Sequence, residues 1–494
     1  MLLGVNILGL KQVVIKGVSW NLLEQICKQL ISVVVTAVLA RILSPNDYGL
    51  VALSTIFVGF ICLFESLSIG SALIQRTNID DRYISTSFWT SIATGIVLVI
   101  LLFAIAPFAS RYYNQPLLKE IIWASSINIL IGPITAIHRN ILAKNMKFKL
   151  ISLINIMMAV ASGVSSISLA LLGFGVWSLV FGSIIGSIFI IPFVWNYEKW
   201  RPKLIFDVEC FKDMFGFSSY LLASNIVFYF ARNTDKLIVG KQLGANSLGF
   251  YTMAYTLMMK PIQQISWAIT SVLFPAFSSI QGDIPRIRSA YLRVVSFIAI
   301  VTFPMMAGLM VVSSEFIQVL IGHKWLGVVA PLQVLCLVGA LQSIGTTAGS
   351  IFNSIGRADL QFKTGCISSV GHIAGFFLSI KWGLMALVKV YLLTNIIFTI
   401  YTLFVASKQI NLPLKDFLLA MKIPIVNSCI MMIALKVYGY LSSTYFEINQ
   451  YAFLISTVCL GVIVYVSLTT YIVRDRYSND LVTILRQLFI REST

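Results

Sequence analysis

Residues 86–109 read TSFWTSIATGIVLVILLFAIAPFA, a run without one charged side chain. A helix needs about 20 consecutive apolar residues to cross the hydrocarbon core of a bilayer. A membrane β-strand would instead alternate apolar and polar positions over about ten residues. Residues 86–109 do not alternate, so the stretch predicts a spanning α-helix.

Windows of the same kind recur on both sides of it. Towards the N-terminus they fall at 17–40 and 49–73; beyond it, at 117–137, 149–173 and 176–195. The second part of the chain gives 215–240, 248–272, 291–313, 327–353, 364–380, 384–406, 419–441 and 451–472. The expectation is an all-α, polytopic membrane protein with about fourteen transmembrane helices. Composition agrees. Of 494 residues 58% are apolar and 11% charged, and mean hydropathy is +0.89. A soluble surface carries roughly 25% charged residues, so lipid is the expected solvent. Residues 1–16 lack the small-residue cleavage site of a signal peptide, and the first span is expected to serve as its own insertion signal. Cys27, Cys62, Cys210, Cys336, Cys366, Cys429 and Cys459 are scattered singly with no CxxC pair. They read as buried small hydrophobes, so neither a disulfide framework nor a metal site is expected.

The net charge of +17 is distributed by topology. With the N-terminus in the cytoplasm, the outer loops receive Arg41, Arg111, Lys119, Lys241, Lys324 and Lys381. The inner side receives about four times as many, including Lys16, Arg76, Arg139, Lys144, Lys147, Lys149, Arg286, Arg288 and Arg486. The positive-inside rule then places both termini in the cytoplasm, and no nucleic-acid partner is implied.

The chain also contains a weak copy of itself. Arg41-Ile-Leu-Ser-Pro-Asn-Asp-Tyr-Gly-Leu50 follows the first span, and Lys241-Gln-Leu-Gly-Ala-Asn-Ser-Leu-Gly-Phe250 follows the seventh. At an offset of 200, Leu43 meets Leu243, Asn46 meets Asn246 and Gly49 meets Gly249. A second echo pairs Pro116-Leu117 with Pro331-Leu332 and Phe148-Lys149 with Phe362-Lys363. Six spans separate the copies, so both halves lie the same way up, as parallel repeats do. The expected organisation is an N-terminal six-helix lobe at 1–195, a cytoplasmic linker at 196–214 and a C-terminal six-helix lobe at 215–406. Residues 407–494 add two further helices and a cytoplasmic tail. Two such bundles facing a cleft are a transporter's architecture.

A charge at mid-bilayer costs roughly 2.5–3.5 kcal/mol on insertion scales and usually faces a cavity or a partner. Glu24 and Lys28 stand four apart on the first helix, in the favourable order for pairing. Arg232, Asp235 and Lys236 share a face of the seventh, and Lys260 sits beside Pro261 in the eighth, where a kink can open the backbone. Reading these only as internal ion pairs leaves the surplus of positive charge unexplained. Lys28, Arg232, Lys236 and Lys260 are therefore the candidate substrate-binding residues of a central cationic cavity, suited to a pyrophosphate group. Glu24, Glu65 and Asp235 are candidates for ion coupling or charge pairing. Lys389, Lys422 and Lys436 lie nearer span ends and are expected to snorkel to the headgroups.

Leu39-Ala-Arg-Ile-Leu-Ser-Pro-Asn-Asp-Tyr-Gly-Leu-Val-Ala-Leu53 resembles the first-loop signature of Wzx-type bacterial polysaccharide exporters. Ser71-Ala-Leu-Ile-Gln-Arg76, Arg232-Asn-Thr-Asp-Lys-Leu-Ile-Val-Gly240, Val272-Leu-Phe-Pro-Ala-Phe277, Gly322-His-Lys-Trp325 and Gly356-Arg-Ala-Asp-Leu360 fit the same group. The matches run in order to about residue 410, nearest to the colanic-acid and teichuronic-acid exporter branch. The resemblance implies the multidrug/oligosaccharidyl-lipid/polysaccharide exporter superfamily and a MATE-like fold. It also implies flipping of undecaprenyl-diphosphate-linked oligosaccharide between leaflets of the bacterial cytoplasmic membrane by alternating access, serving exopolysaccharide, capsule or O-antigen synthesis. In related lipid flippases basic residues on the first and seventh-to-eighth helices line the cavity, a description that falls here on Lys28, Arg232, Lys236 and Lys260. Membrane lipid and the polymerase and chain-length proteins of the pathway would be partners.

Two other classes compete. A proton- or sodium-coupled drug antiporter should have a site dominated by carboxylates and aromatics, against the lysine and arginine seen here. A membrane polymerase or ligase should present a sizeable outer loop with catalytic residues, and the longest outer loop, about 314–326, holds Glu315, His323 and Lys324 but little else. His138 and His372 have no triad partner nearby in sequence, and no GxxxxGK[ST] loop is present. No enzyme activity and no cofactor are expected.

Overall fold

The computed structural model describes residues 7–65, 81–445 and 449–476. The Ser71–Arg76 motif and Arg486 lie outside them. The described residues are almost entirely helical and contain no strand. Helices α1 (Ile7–Ile42), α2 (Pro45–Glu65), α3 (Asp81–Tyr113), α4 (Pro116–Lys144), α5 (Phe148–Leu171) and α6 (Trp177–Tyr197) come first. The long helix Val208–Pro261 is broken at Gly244, where φ is +79°. It is therefore two helices, α7 (208–243) and α8, which starts at Ala245 and runs through the π-helical turn Ile262–Ser266 into Trp267–Ser278. Then follow α9 (Ile284–Val311), α10 (Val329–Gly345, continued by Thr347–Ser354), α11 (Ala358–Ser379), α12 (Leu384–Gln409), α13 (Leu414–Tyr445) and α14 (Gln450–Arg476).

Among the described residues, eleven helices are long and apolar enough to cross a membrane. Residues 208–278 and 358–379 are not among them, and they carry Arg232, Asp235, Lys236 and Lys260 in the one case and Asp359, Lys363 and His372 in the other. The solvent is legible from α3. Ile96, Val97, Ile100 and Phe108 are exposed, while Ser87, Ser91, Leu98, Leu102 and Ala106 are buried. The outward face is wholly apolar here, while serines share the inward face with leucine and alanine, unlike a soluble helix with its polar outer face.

The chain divides into two compact units, Met1–Thr252 and Met253–Thr494. In the first, α5 packs along α1 and α6, and α4 along α2, α3 and α6. Small residues set the closest approach: a Cβ on Gly182 would stand 1.9 Å from Ser166 Oγ, and one on Gly186 2.7 Å from Ser162 Cβ. Lipid tails are as apolar as leucine, so membrane helices gain from such backbone proximity rather than from the hydrophobic effect. The segment after α6 is fastened rather than loose. Its Lys203 N–H donates to Ser85 Oγ (3.2 Å), its Asp207 N–H to Thr86 Oγ1 (3.0 Å), and Trp89 Nε1 donates to Lys203 O (2.8 Å).

The repeat reappears as contact. Ser44 caps α2: its N–H and hydroxyl both donate to Asp47 Oδ2 (2.8 and 2.7 Å), Asp47 N–H returns to Ser44 Oγ, and Pro45 takes the first helical position. The equivalent of Ser44, 200 residues on, is Gly244, which turns the same corner through its positive φ. The two corners touch reciprocally. A Cβ on Gly49 would meet Ala245 O at 1.8 Å, and one on Gly249 would meet Pro45 O at 1.9 Å.

In the second unit α9 is central, packed against α10 and α13, with α12 on α10 and α11 and α14 on α13. Asp283 caps α9 by accepting from Arg286 N–H (3.0 Å). Buried hydroxyls pair within the bundle, Tyr291 OH with Thr347 Oγ1 (3.0 Å) and Thr302 Oγ1 with Ser343 Oγ (2.9 Å). The two C-terminal helices join through Asn427 Nδ2 to Thr469 Oγ1 (3.2 Å) and Tyr438 OH to Ser456 Oγ (2.8 Å).

Candidate functional site

An acidic residue in an apolar helix must find donors within its bundle, because hydrocarbon supplies none. Glu24 of α1 is only 7% exposed. Asn155 of α5 donates its amide to Glu24 Oε1 at 2.8 Å, and Lys28 Nζ stands 3.5 Å from the same oxygen. The pairing expected from the four-residue spacing is thus made, and Lys28 keeps nearly half of its side-chain surface exposed (48%). Arg139 of α4, read from the sequence as a loop charge, stands inside its helix and half-buried. One of its terminal amino groups donates to Met158 Sδ at 3.6 Å, and its buried Nε has no hydrogen-bond partner. Met158 lies about one turn of α5 from Asn155, the residue that donates to Glu24.

On α7 the charges divide. Asp235 is buried and accepts from Tyr251 OH at 2.6 Å, a bond across the Gly244 corner from α7 to α8. Its Oδ1 has no hydrogen-bond partner. Arg232 is exposed and makes no ion pair with Asp235 among the described residues. Beside them, Tyr229 OH donates to Ile56 O (2.7 Å), fixing α7 against α2. A cavity of about 180 Å³ lined by Phe57, Phe60, Tyr229, Phe230 and Leu237 lies at that junction. Its lining is apolar, so it offers nothing to a phosphate.

Lys260, in the second unit, is half-buried and precedes Pro261 and the π-helical turn Ile262–Ser266. The expected distortion beside the proline is present as that turn, in which the backbone ladder is widened. Glu65 ends α2, and its side chain lies outside the described residues. Lys28 and Glu24 are thus brought together locally, while Arg232 makes no ion pair with Asp235 among the described residues. Sequence reasoning missed Arg139, Asn155 and Tyr251. Asn155 had a signal, a lone amide inside an apolar run; Tyr251 is one of 19 tyrosines and had none. No group of three metal-ligating side chains occurs among the described residues, and all seven cysteines are free; only Cys336 is buried, while Cys429 and Cys459 are exposed on their apolar helices, so burial was the wrong expectation where lipid is the solvent.

The fold and these polar groups define a class, that of many-helix membrane proteins with buried carboxylates and half-buried or exposed cations on their helices. Residues 38–330 match the polysaccharide biosynthesis protein family, and the chain belongs to it. Among its relatives is the teichuronic acid biosynthesis protein TuaB of Bacillus subtilis, 30% identical over 354 residues, covering 71% of this chain and 73% of that one. The lipopolysaccharide biosynthesis protein WzxC of Escherichia coli is 27% identical over 425 residues, covering 84% and 86%. The fold is shared with the lipid II flippase MurJ in its inward closed conformation, at a TM-score of 0.72 and 18% identity over 92% of this chain and 99% of that one.

Proposed function

We propose that this protein moves undecaprenyl-diphosphate-linked oligosaccharide units from the inner to the outer leaflet of a bacterial cytoplasmic membrane. The movement is by alternating access of two six-helix lobes, with both termini in the cytoplasm. The carrying observation is the set of cations on spanning or near-spanning helices, Lys28, Arg232, Lys236 and Lys260, in a chain whose relatives are named for polysaccharide biosynthesis. Ammonium and guanidinium groups bind diphosphate oxygens through charge-assisted hydrogen bonds, which strengthen where water is excluded. Lys28 is held by Glu24 yet half exposed, so the diphosphate meets a cation already oriented. Glu24 and Asp235 are the groups placed to couple an ion gradient to the cycle. The chain acts as a carrier rather than an enzyme. Polymerase and chain-length proteins would take up the delivered units on the outer side.

The test is transbilayer movement of a fluorescent undecaprenyl-diphosphate-linked oligosaccharide in vesicles holding the purified protein. Wild type is expected to flip it, with Lys28→Ala and Arg232→Ala each reducing the rate at least about tenfold while folding normally. Absence of flipping by wild type, together with ion-driven uptake of organic cations, would replace this reading with a drug antiporter.

A further inference from the structure

Within the first unit one buried carboxylate has a cation on its own helix and another on a helix that shares its α5 neighbour. Glu24 Oε1 takes the amide of Asn155 at 2.8 Å, while Lys28 Nζ reaches the same atom only at 3.5 Å. Charge-assisted N–H···O bonds normally close to about 2.7–2.9 Å, so the α1 pair is loose. Across the bundle Arg139 is bound worse still. A guanidinium is always charged and carries five donors, yet this one offers a terminal amino group to a thioether at 3.6 Å and has a buried Nε with no acceptor. A thioether is a weak acceptor, and a buried charge without compensation is destabilising. Arg139 and Glu24 meet neighbouring positions of α5, since Met158, which receives Arg139, lies three residues and so about one turn from Asn155, which donates to Glu24. Three helices, α1, α4 and α5, therefore hold a carboxylate committed by one oxygen to Asn155 and two cations that are each incompletely paired. The other cation nearby on α5, Lys149, is occupied over the Trp20 ring at 5.3 Å.

The geometry points to a handover in which Arg139 takes the Glu24 carboxylate when cargo diphosphate draws Lys28 away. Arg139 is then a positioning residue: it never touches cargo, but it lowers the cost of releasing Lys28 to it. With no second cation in place, freeing Lys28 would leave Glu24 buried with only a neutral amide. Asn155 holds the carboxylate at its pivot while the cations exchange. The inference rests on the reading that Lys28 meets the diphosphate.

The test is a double-mutant cycle in the vesicle assay, recording the half-saturating concentration of the lipid-linked oligosaccharide and the maximal rate separately. Arg139→Gln is expected to raise half-saturation about tenfold, Arg139→Lys to restore most of the loss, and Arg139→Gln to change little once Glu24 is already Gln. An equal effect of Arg139→Gln in both backgrounds would overturn the handover, because Arg139 would then act independently of Glu24. If Arg139→Gln does not fold alone, Glu24→Gln should rescue it by removing a buried carboxylate that Lys28, at 3.5 Å, offsets only loosely. A double variant that also fails to fold would assign Arg139 to packing against Met158 and end the proposal. Wild type that flips nothing would count against the functional reading instead, and the folding rescue would still test the Glu24–Arg139 coupling.

Discussion

Two glycines and one tyrosine have roles that no composition reveals. Gly49 and Gly249 are tolerable only as glycine, since a methyl at either would fall inside a carbonyl oxygen of the opposite corner. Gly49→Ala and Gly249→Ala are each expected to cost about 1–3 kcal/mol or more through overpacking. Thermal unfolding in detergent checks this against Gly282→Ala, where nothing stands within 4 Å. Tyr251 supplies the side-chain hydrogen bond that the buried Asp235 receives. Tyr251→Phe should destabilise by about 1–3 kcal/mol, the cost of stranding a buried polar group. Most of that loss should disappear in the Asp235→Leu background, where no carboxyl remains to be stranded. Equal losses in the two backgrounds would show the hydroxyl to act elsewhere.

Corners and fastenings between helices divide into those written locally and those that are not. The Ser44-Pro45-Asn46-Asp47 cap is a local device, readable as a helix start from its residue types and their spacing. Its copy at Gly244 uses different chemistry for the same turn, which is why the repeat is weak in sequence and plain in contact. The segment 198–207 reads as a polar linker, yet it is bonded to α3 through Ser85, Thr86 and Trp89. The exposed Lys203–Asp81 pair (2.6 Å) adds little, since surface ion pairs are worth about 0–1 kcal/mol. Trypsin is therefore expected to cut slowly after Lys199 and Lys203 in the native protein. Replacing Trp89 by Phe and Thr86 by Val should speed that cleavage several-fold, whereas Asp81→Ala should not; gel analysis of timed digests reads the difference.

At the scale of the molecule the prediction concerns orientation. In a variant lacking the seven natural cysteines, Lys144→Cys should react with a membrane-impermeant maleimide only after the membrane is opened. Lys324→Cys should react in intact cells. The reverse pattern would invert the charge-based topology. The helical class, the repeat and the Glu24–Lys28 pair were legible from the chain because each depends on spacing along one helix or on a run of apolar residues. The full count of spans was less so, because helices carrying Arg232, Asp235 and Lys236, or Asp359 and Lys363, dilute the apolar signal.

What the amino-acid sequence determined alone is the solvent. A chain that is 58% apolar and 11% charged must satisfy its backbone internally in lipid, and uninterrupted runs do so as helices. It also marked which helices carry charge. Only the tertiary structure decided whom those charges meet beyond their own helix turn: Asn155 for Glu24, Tyr251 rather than Arg232 for Asp235, and a thioether for Arg139. The reason is physical. Pairing along a helix follows from a 3.6-residue period, but pairing between helices depends on how small residues let backbones approach and rotate, and no local spacing encodes that.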